Sequence, residues 1–185
     1  MDLAVHLSNR GLGETIRDAL RLASEVASDD DLIVTMDADN THPPELIPEM
    51  NRHIKQGADV VIASRYRPGA RVVGLSRFRR SMSLGARLLF GTVFPIEGVR
   101  DYTCGFRMYR PSVLRRAFET YGDRLASERG FACMAEILLK VSRLRVRCSE
   151  VPLVLGYNRK KSVSMMRVGR TVMTTLGLMT RLRFG

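Results

Sequence analysis

The chain has 185 residues and 20.8 kDa, of which 45% are hydrophobic and 26% charged, ordinary globular usage that excludes disordered and fibrous classes and fits one domain or most of a larger one. No self-similarity at solenoid periods is present, which excludes a repeat array. Thirty basic residues against 19 acidic give a net charge of +11, and 26 of the thirty are arginine. Arginine suits phosphate-bearing partners through its planar fork, and an arginine-rich genome explains the excess equally well. Cys104, Cys133 and Cys148 are an odd set without C-x-x-C spacing, which argues against a disulfide framework or zinc site and for a reducing compartment. Residues 1–10 lack the charged and apolar regions of a leader, and no window reads as a spanning helix.

Residues 11–28 carry Ile16, Leu20 and Ala23 on one helical face. The apolar, β-branched run 31–36 then stops at Asp37-Ala38-Asp39-Asn40, the pattern of a buried parallel strand that delivers acids at its carboxyl end. Pro43 and Pro44 open a helix to about Gln56, and 59–63 reads as a second buried strand. This alternation predicts an α/β layer with a mainly parallel sheet. A Gly/Arg-rich loop over 64–76 leads to a helix over 77–90. The stretch 101–109 holds a glycine turn entering a strand, Pro111 opens a short helix, 130–143 is helical and 144–151 is a strand. A polar, basic loop covers 157–164. In the last stretch Met165, Val168, Val172, Leu176 and Met179 share one helical face, with Arg167, Arg170 and Arg181 opposite; such a helix lies in a membrane interface, docks on a partner, or packs on this domain's own core or a missing segment.

Two carboxylates two residues apart just past a strand can reach one Mg²⁺ or Mn²⁺, whose remaining sites go to substrate phosphates and water. A bare D-x-D also serves as a cap or a solvated loop. Other residues likewise keep two readings: Ser64-Arg65-Tyr66 as a strand-end turn, Arg79 as part of a solvated arginine face, Asp101 paired with Arg107 to fix the Gly105 turn, and Glu136 as a buried structural acid or a site residue. His6, His42 and His53 are too scattered for a metal cluster, and His42 reads as part of the turn.

Residues 37–44 (DADNTHPP), 57–66 (GADVVIASRY) and 101–107 (DYTCGFR), with Asn9-Arg-Gly-Leu-Gly13 and Glu150-Val-Pro152, resemble in order the polyprenyl-phosphate (dolichyl-phosphate) mannosyltransferases of the family 2 glycosyltransferases. The similarity spans about 9–164. It implies a GT-A, Rossmann-like nucleotide-sugar fold over 1–164 followed by an amphipathic helix over 165–185. It also implies inverting, metal-dependent transfer of a hexose to a polyprenyl phosphate. Mannose from GDP-mannose is the first expectation and glucose from UDP-glucose the second. By position, Asp37 and Asp39 resemble the acids at nucleotide and metal (Mg²⁺ or Mn²⁺), with Asp39 the more direct ligand. Arg65, Arg79 and Ser83 resemble acceptor-phosphate binders, Arg159 the basic-loop arginine closing over both phosphates, and Asp101 an acid lining the site. Asp39, Asp101 and Arg65 are thus the candidate catalytic residues. A peripheral enzyme at the cytosolic membrane face, without nucleic acid, follows.

Two departures stand out. The family's opening strand and its D-D-G-S-type loop have no match before Asn9, so the chain is expected to be an amino-terminally truncated member with an unpaired sheet edge. The loop after Arg159 has Ser162 and Met165 where the family has glycine and lysine. The competing expectations are an arginine-rich module binding anionic lipid or nucleic acid without catalysis, and an inactive truncated paralogue. Against nucleic acid stand the 6% aromatic content and the lack of tryptophan.

Overall fold

The computed structural model describes residues 8–74, 77–156 and 168–184, side chains at 77–80, 156, 168–173 and 184 excepted. Helix α1 (Leu12–Val26) leads to strand β1 (Ile33–Thr35). A 3₁₀ turn (Pro44–Leu46) runs into α2 (Ile47–Lys55) and then β2 (Val60–Ser64). Next come β3 (Arg71–Val73), α3 (Arg77–Val93), β4 (Arg107–Tyr109) and α4 (Pro111–Tyr121). A 3₁₀ segment (Gly122–Ala126) precedes α5 (Ala132–Ser142), β5 (Cys148–Pro152), β6 (Val154–Gly156) and α6 (Val168–Phe184).

The main sheet has the order β1-β4-β2-β5. β2 and β5 are parallel, while β4 runs antiparallel between β1 and β2. Three of four strands therefore point the same way, as the alternation predicts. The reversal of β4 was not legible, because all three of its residues are buried and a strand covered on both faces reads the same in either direction. A second sheet pairs β3 with β6 in parallel. β3 falls inside the 64–76 segment read from sequence as a loop and β6 in the unassigned stretch after the 144–151 strand, because three residues are too few for a period to register.

The core is built on β2, buried at all five positions, with Phe106, Met108 and Tyr109 of the β4 region and Ile137, Leu138 and Val141 of α5. Helix α2 inserts Met50 and Ile54 and packs on β2 and β5. The start of α1 is set by backbone approach. Gly11 holds φ +90°, its N–H donates to Asn9 Oδ1 (2.9 Å), and Gly13 packs so tightly that a Cβ there would stand 1.8 Å from the Glu128 carbonyl oxygen. The glycines of the Asn9–Gly13 motif thereby seat α1 on the loop before α5.

Helix α6 packs on α5 and buries Leu178 and Met179, whereas Leu176 remains exposed. The apolar face read from sequence is thus rotated, with Met179 inward and Leu176 outward. Arg181 pairs with the buried Glu128, which brings a cation of the outward face onto this domain. Among the described residues no helix is long and apolar enough to cross a membrane.

Candidate functional site at the carboxyl ends of β1 and β2

Strand directions alone gather the site. β1 and β2 point the same way, so the residues that follow them, Asp37 and Arg65, emerge at one end of the sheet. β4 runs the other way, so the segment that enters it, 101–106, lies at that same end. Thr35 Oγ1 donates to the Gly105 carbonyl (2.7 Å), and Ala63 N–H donates to that of Phe106 (3.0 Å), which closes the three chain ends together. Asp37 Oδ1 lies 3.8 Å from the place a Cβ on Gly105 would take.

The acidic loop is shaped by its own side chains. The Asp37 amide donates to His42 Nδ1 (2.9 Å), and the ring stacks on Phe106 with centroids 5.1 Å apart. Asp39 Oδ1 accepts from Thr41 Oγ1 (2.6 Å) and the Thr41 amide (3.2 Å), and Asn40 between them takes φ +62°, a region asparagine tolerates. Asp37 is exposed and Asp39 half-buried. Burial pulls the His42 pKa down. The Asp37 and Asp39 carboxylates oppose that shift and the Arg65 guanidinium adds to it, so acids and arginine act on one ring. With Nδ1 accepting, His42 is the neutral Nε2–H tautomer.

Asp101 is fully buried and saturated. Its Oδ2 accepts from the Arg65 amide (3.0 Å) and Nε (2.8 Å). Its Oδ1 accepts from Arg65 Nη2 (2.7 Å) and from the amides of Thr103 (3.3 Å) and Cys104 (3.1 Å). Burial works against both charges, but their mutual attraction and these hydrogen bonds win. The Asp101 carboxyl is held below the usual carboxylate range and the Arg65 pKa rises above its ordinary value. Asp101 therefore stands behind Arg65 instead of on the site's surface, because all its lone-pair directions are committed inside the fold. Its partner is Arg65 and not Arg107, whose buried guanidinium donates to the carbonyls of Met134 (2.6 Å) and Tyr102 (2.8 Å).

Ser83 lies on α3, where its Oγ is 2.5 Å from Tyr66 Oη. The Tyr66 ring has Arg65 5.6 Å and Arg87 4.9 Å from its centroid, so α3 is tied to the end of β2 through one aromatic ring. Arg79 is in the first turn of α3, and its side chain lies outside the described residues, as does all of Arg159. Glu136 is a structural acid here: it accepts from the amides of Ser127 (2.8 Å) and Glu128 (2.9 Å) and from Lys140 Nζ (2.5 Å).

Two residues that the sequence motifs contain but that received no role from sequence complete the support. Thr103 Oγ1 accepts from Arg65 Nη2 (2.6 Å). Glu150 Oε1 accepts the amides of Arg100 and Asp101 (2.7 Å each), and its Oε2 is 3.2 Å from Arg67 Nε. A glutamate beside Val151 in the buried part of β5 is a signal that could have found it, since buried acids are almost always paired. Burial pushes the Cys104 thiol up to about 12, so it packs as a neutral thiol in the core.

For a divalent cation, the described residues offer no cluster of three or more His, Cys, Asp or Glu side chains. Asp37 and Asp39 supply two hard oxygen donors, one of them fixed by Thr41. That donor set fits Mg²⁺ or Mn²⁺ bound jointly with phosphate oxygens and water, the usual habit of Mg²⁺.

Residues 4–118 match the family description "Glycosyl transferase family 2". The chain is 35% identical over 153 residues to a dolichol-phosphate mannosyltransferase of Pyrococcus furiosus, covering 82% of this chain and 40% of that protein. It is 32% identical over 156 residues to an undecaprenyl-phosphate mannosyltransferase of Micrococcus luteus, covering 82% and 61%. The chain thus spans less than two thirds of the length of either relative. Among solved structures, glucosyl-3-phosphoglycerate synthase of Mycobacterium tuberculosis in complex with phosphoglyceric acid superposes with a TM-score of 0.58 at 19% identity, over 98% of this chain and 57% of that one, a likeness of fold.

Proposed function

The chain belongs to glycosyl transferase family 2, and from that premise we propose that it serves the transfer of a hexosyl group from a nucleotide sugar to a polyprenyl phosphate, mannose from GDP-mannose before glucose from UDP-glucose. What carries the reading is the emergence of Asp37, Asp39 and Arg65 at one end of the sheet, with all three acting on His42. The names of the Pyrococcus and Micrococcus relatives support the sugar and the acceptor class.

The chemistry asks little of a base. An acceptor phosphate is already anionic at neutral pH, so one of its oxygens forms the new bond to the anomeric carbon. The bond from that carbon to the diphosphate oxygen breaks, and the leaving group keeps the electron pair. Two electrostatic tasks remain, bringing anions together and stabilising the departing diphosphate. Asp37 and Asp39 would hold Mg²⁺ or Mn²⁺, which supplies charge neutralisation to the diphosphate when bound. Arg65 orients the acceptor phosphate, and Asp101 acts through it by fixing its plane; Ser83, Arg79 and Arg159 are assigned to the same phosphate. The buried, neutral His42 keeps the acidic loop in shape without adding a cation beside the carboxylates. The lipid nature of the acceptor class favours action at the cytosolic membrane face.

The test is transfer of radiolabelled mannose from GDP-mannose to a short-chain polyprenyl phosphate, with Mn²⁺ present, by the chain and its Arg65→Ala variant. Activity that falls at least about a hundredfold in the variant agrees with the loss of one preorganised electrostatic donor. Equal activity in both removes Arg65 from the reaction.

A further inference from the structure

We propose that the cavity between the ends of α3, α5 and α6 is a binding site for the headgroup of an anionic phospholipid, separate from the acceptor-phosphate position. The cavity is an open cleft of about 420 Å³, within the roughly 300–1,000 Å³ of small-molecule sites. Its lining divides by chemistry. Val93, Phe94, Ile96 and Leu182 supply an apolar wall, and Arg143 and Arg183 are the two charged residues of the lining. Neither arginine has a carboxylate partner among the described residues. Arg143 Nη2 donates to the Leu182 carbonyl, which holds its fork at the rim.

Two charges of one sign beside an apolar wall complement an amphiphile that carries an anion next to hydrocarbon. A soluble anion would leave the wall bare, and a neutral lipid would leave the cations unmatched. The approach is apolar as well. Leu84, Leu88 and Leu89 of α3 are 44%, 58% and 37% exposed. Leu89 and Val93 are one helical turn apart, so the exposed leucines run toward the cavity along α3. A helix that lays leucines on a bilayer brings such a rim to headgroup depth. The cavity wall also has a fixed link to the candidate site. The Tyr102 hydroxyl donates to the Phe94 carbonyl (3.0 Å) and accepts from the Ile96 amide (3.2 Å), one residue from Asp101. None of the cavity residues is assigned to sugar or acceptor, so this proposal and the transfer reaction fail separately.

The experiment is sedimentation of the full chain with vesicles of phosphatidylcholine alone and of two parts phosphatidylcholine to one part phosphatidylglycerol. Removing two interfacial cations at about fivefold each predicts about a thirtyfold loss of partitioning onto phosphatidylglycerol vesicles for Arg143→Ala/Arg183→Ala, with partitioning onto neutral vesicles unchanged. Arg52→Ala/Lys55→Ala removes the same charge from α2 and is expected to lose less than threefold. Arg143→Lys/Arg183→Lys keeps the charge and is expected to bind within threefold of the parent. Loss in the lysine variant equal to that in the alanine variant assigns the effect to undocking of α6 and overturns the proposal. Equal loss in the α2 control reduces it to general surface charge, and release by millimolar inorganic phosphate assigns the cavity to free phosphate; either result also overturns it.

Discussion

Replacing Asp101 with asparagine removes one charge and almost no volume from the most committed pair in the molecule. Asp101 has no exposed surface, and its two oxygens accept five hydrogen bonds, three of them from Arg65. Arg65 is itself only 15% exposed at its side chain, so its charge would be left in the fold with no countercharge from Asp101 and with Thr103 Oγ1 and one neutral amide oxygen as acceptors. Breaking a buried pair from one side costs about 3–5 kcal/mol, and the asparagine amide must also face N–H donors. With a urea m-value of about 2 kcal/mol/M for a domain of this size, Asp101→Asn is expected to lower the unfolding midpoint by about 1.5–2.5 M. In an Arg65→Met background the same change should cost about 3 kcal/mol less, because the stranded cation is gone. The depressed Asp101 pKa means that its contribution is present above about 3.9, its unfolded value, and is lost as pH falls through the lower folded value. The variant should lack that acid limb. A cost below about 1 kcal/mol, or equal costs in the two backgrounds, would refute the view that Asp101 acts by holding Arg65.

Arg65→Lys keeps the charge but not the fork, so transfer activity should fall by about tenfold to a hundredfold with a smaller change in donor KM, read from steady-state kinetics. The lowered His42 pKa predicts stability that is full above its unfolded value of about 6.5 and is lost as pH falls through the lower folded value. His42→Gln should flatten that part of the stability profile measured by urea titration between pH 5 and 8, and an unchanged profile would contradict the buried neutral imidazole. Gly13→Ala sets a methyl 1.8 Å from the Glu128 carbonyl oxygen, so α1 must shift, at a cost of about 1–3 kcal/mol or more in thermal unfolding; a wild-type melting temperature would contradict the close approach.

Much of this architecture was legible because burial leaves a local trace. The run 31–36 with acids at its end, and 59–63 after a proline-opened helix, gave β1, β2 and their shared polarity, and that polarity is what joins Asp37 to Arg65. The reversed β4 and the three-residue β3 and β6 left no such trace, since strand direction and brief pairing depend on partners distant in the chain. The Asp101–Arg65 pair was hidden for a similar reason: Arg107 is nearer in sequence, and only the fold reveals that its guanidinium turns to the Met134 and Tyr102 carbonyls. The exposed Leu176 and buried Leu178 show that a helical period gives a face but not which way a terminal helix rolls onto its neighbour.

On the proposed function, the two carboxylates after β1 bind a cation and a nucleoside diphosphate as one unit. Titration calorimetry of GDP into the chain, with and without Mn²⁺, tests it most directly. Binding is expected to strengthen at least tenfold with Mn²⁺ in the parent and to show no Mn²⁺ dependence in Asp39→Asn. Mn²⁺-strengthened GDP binding that survives unchanged in Asp39→Asn would contradict it.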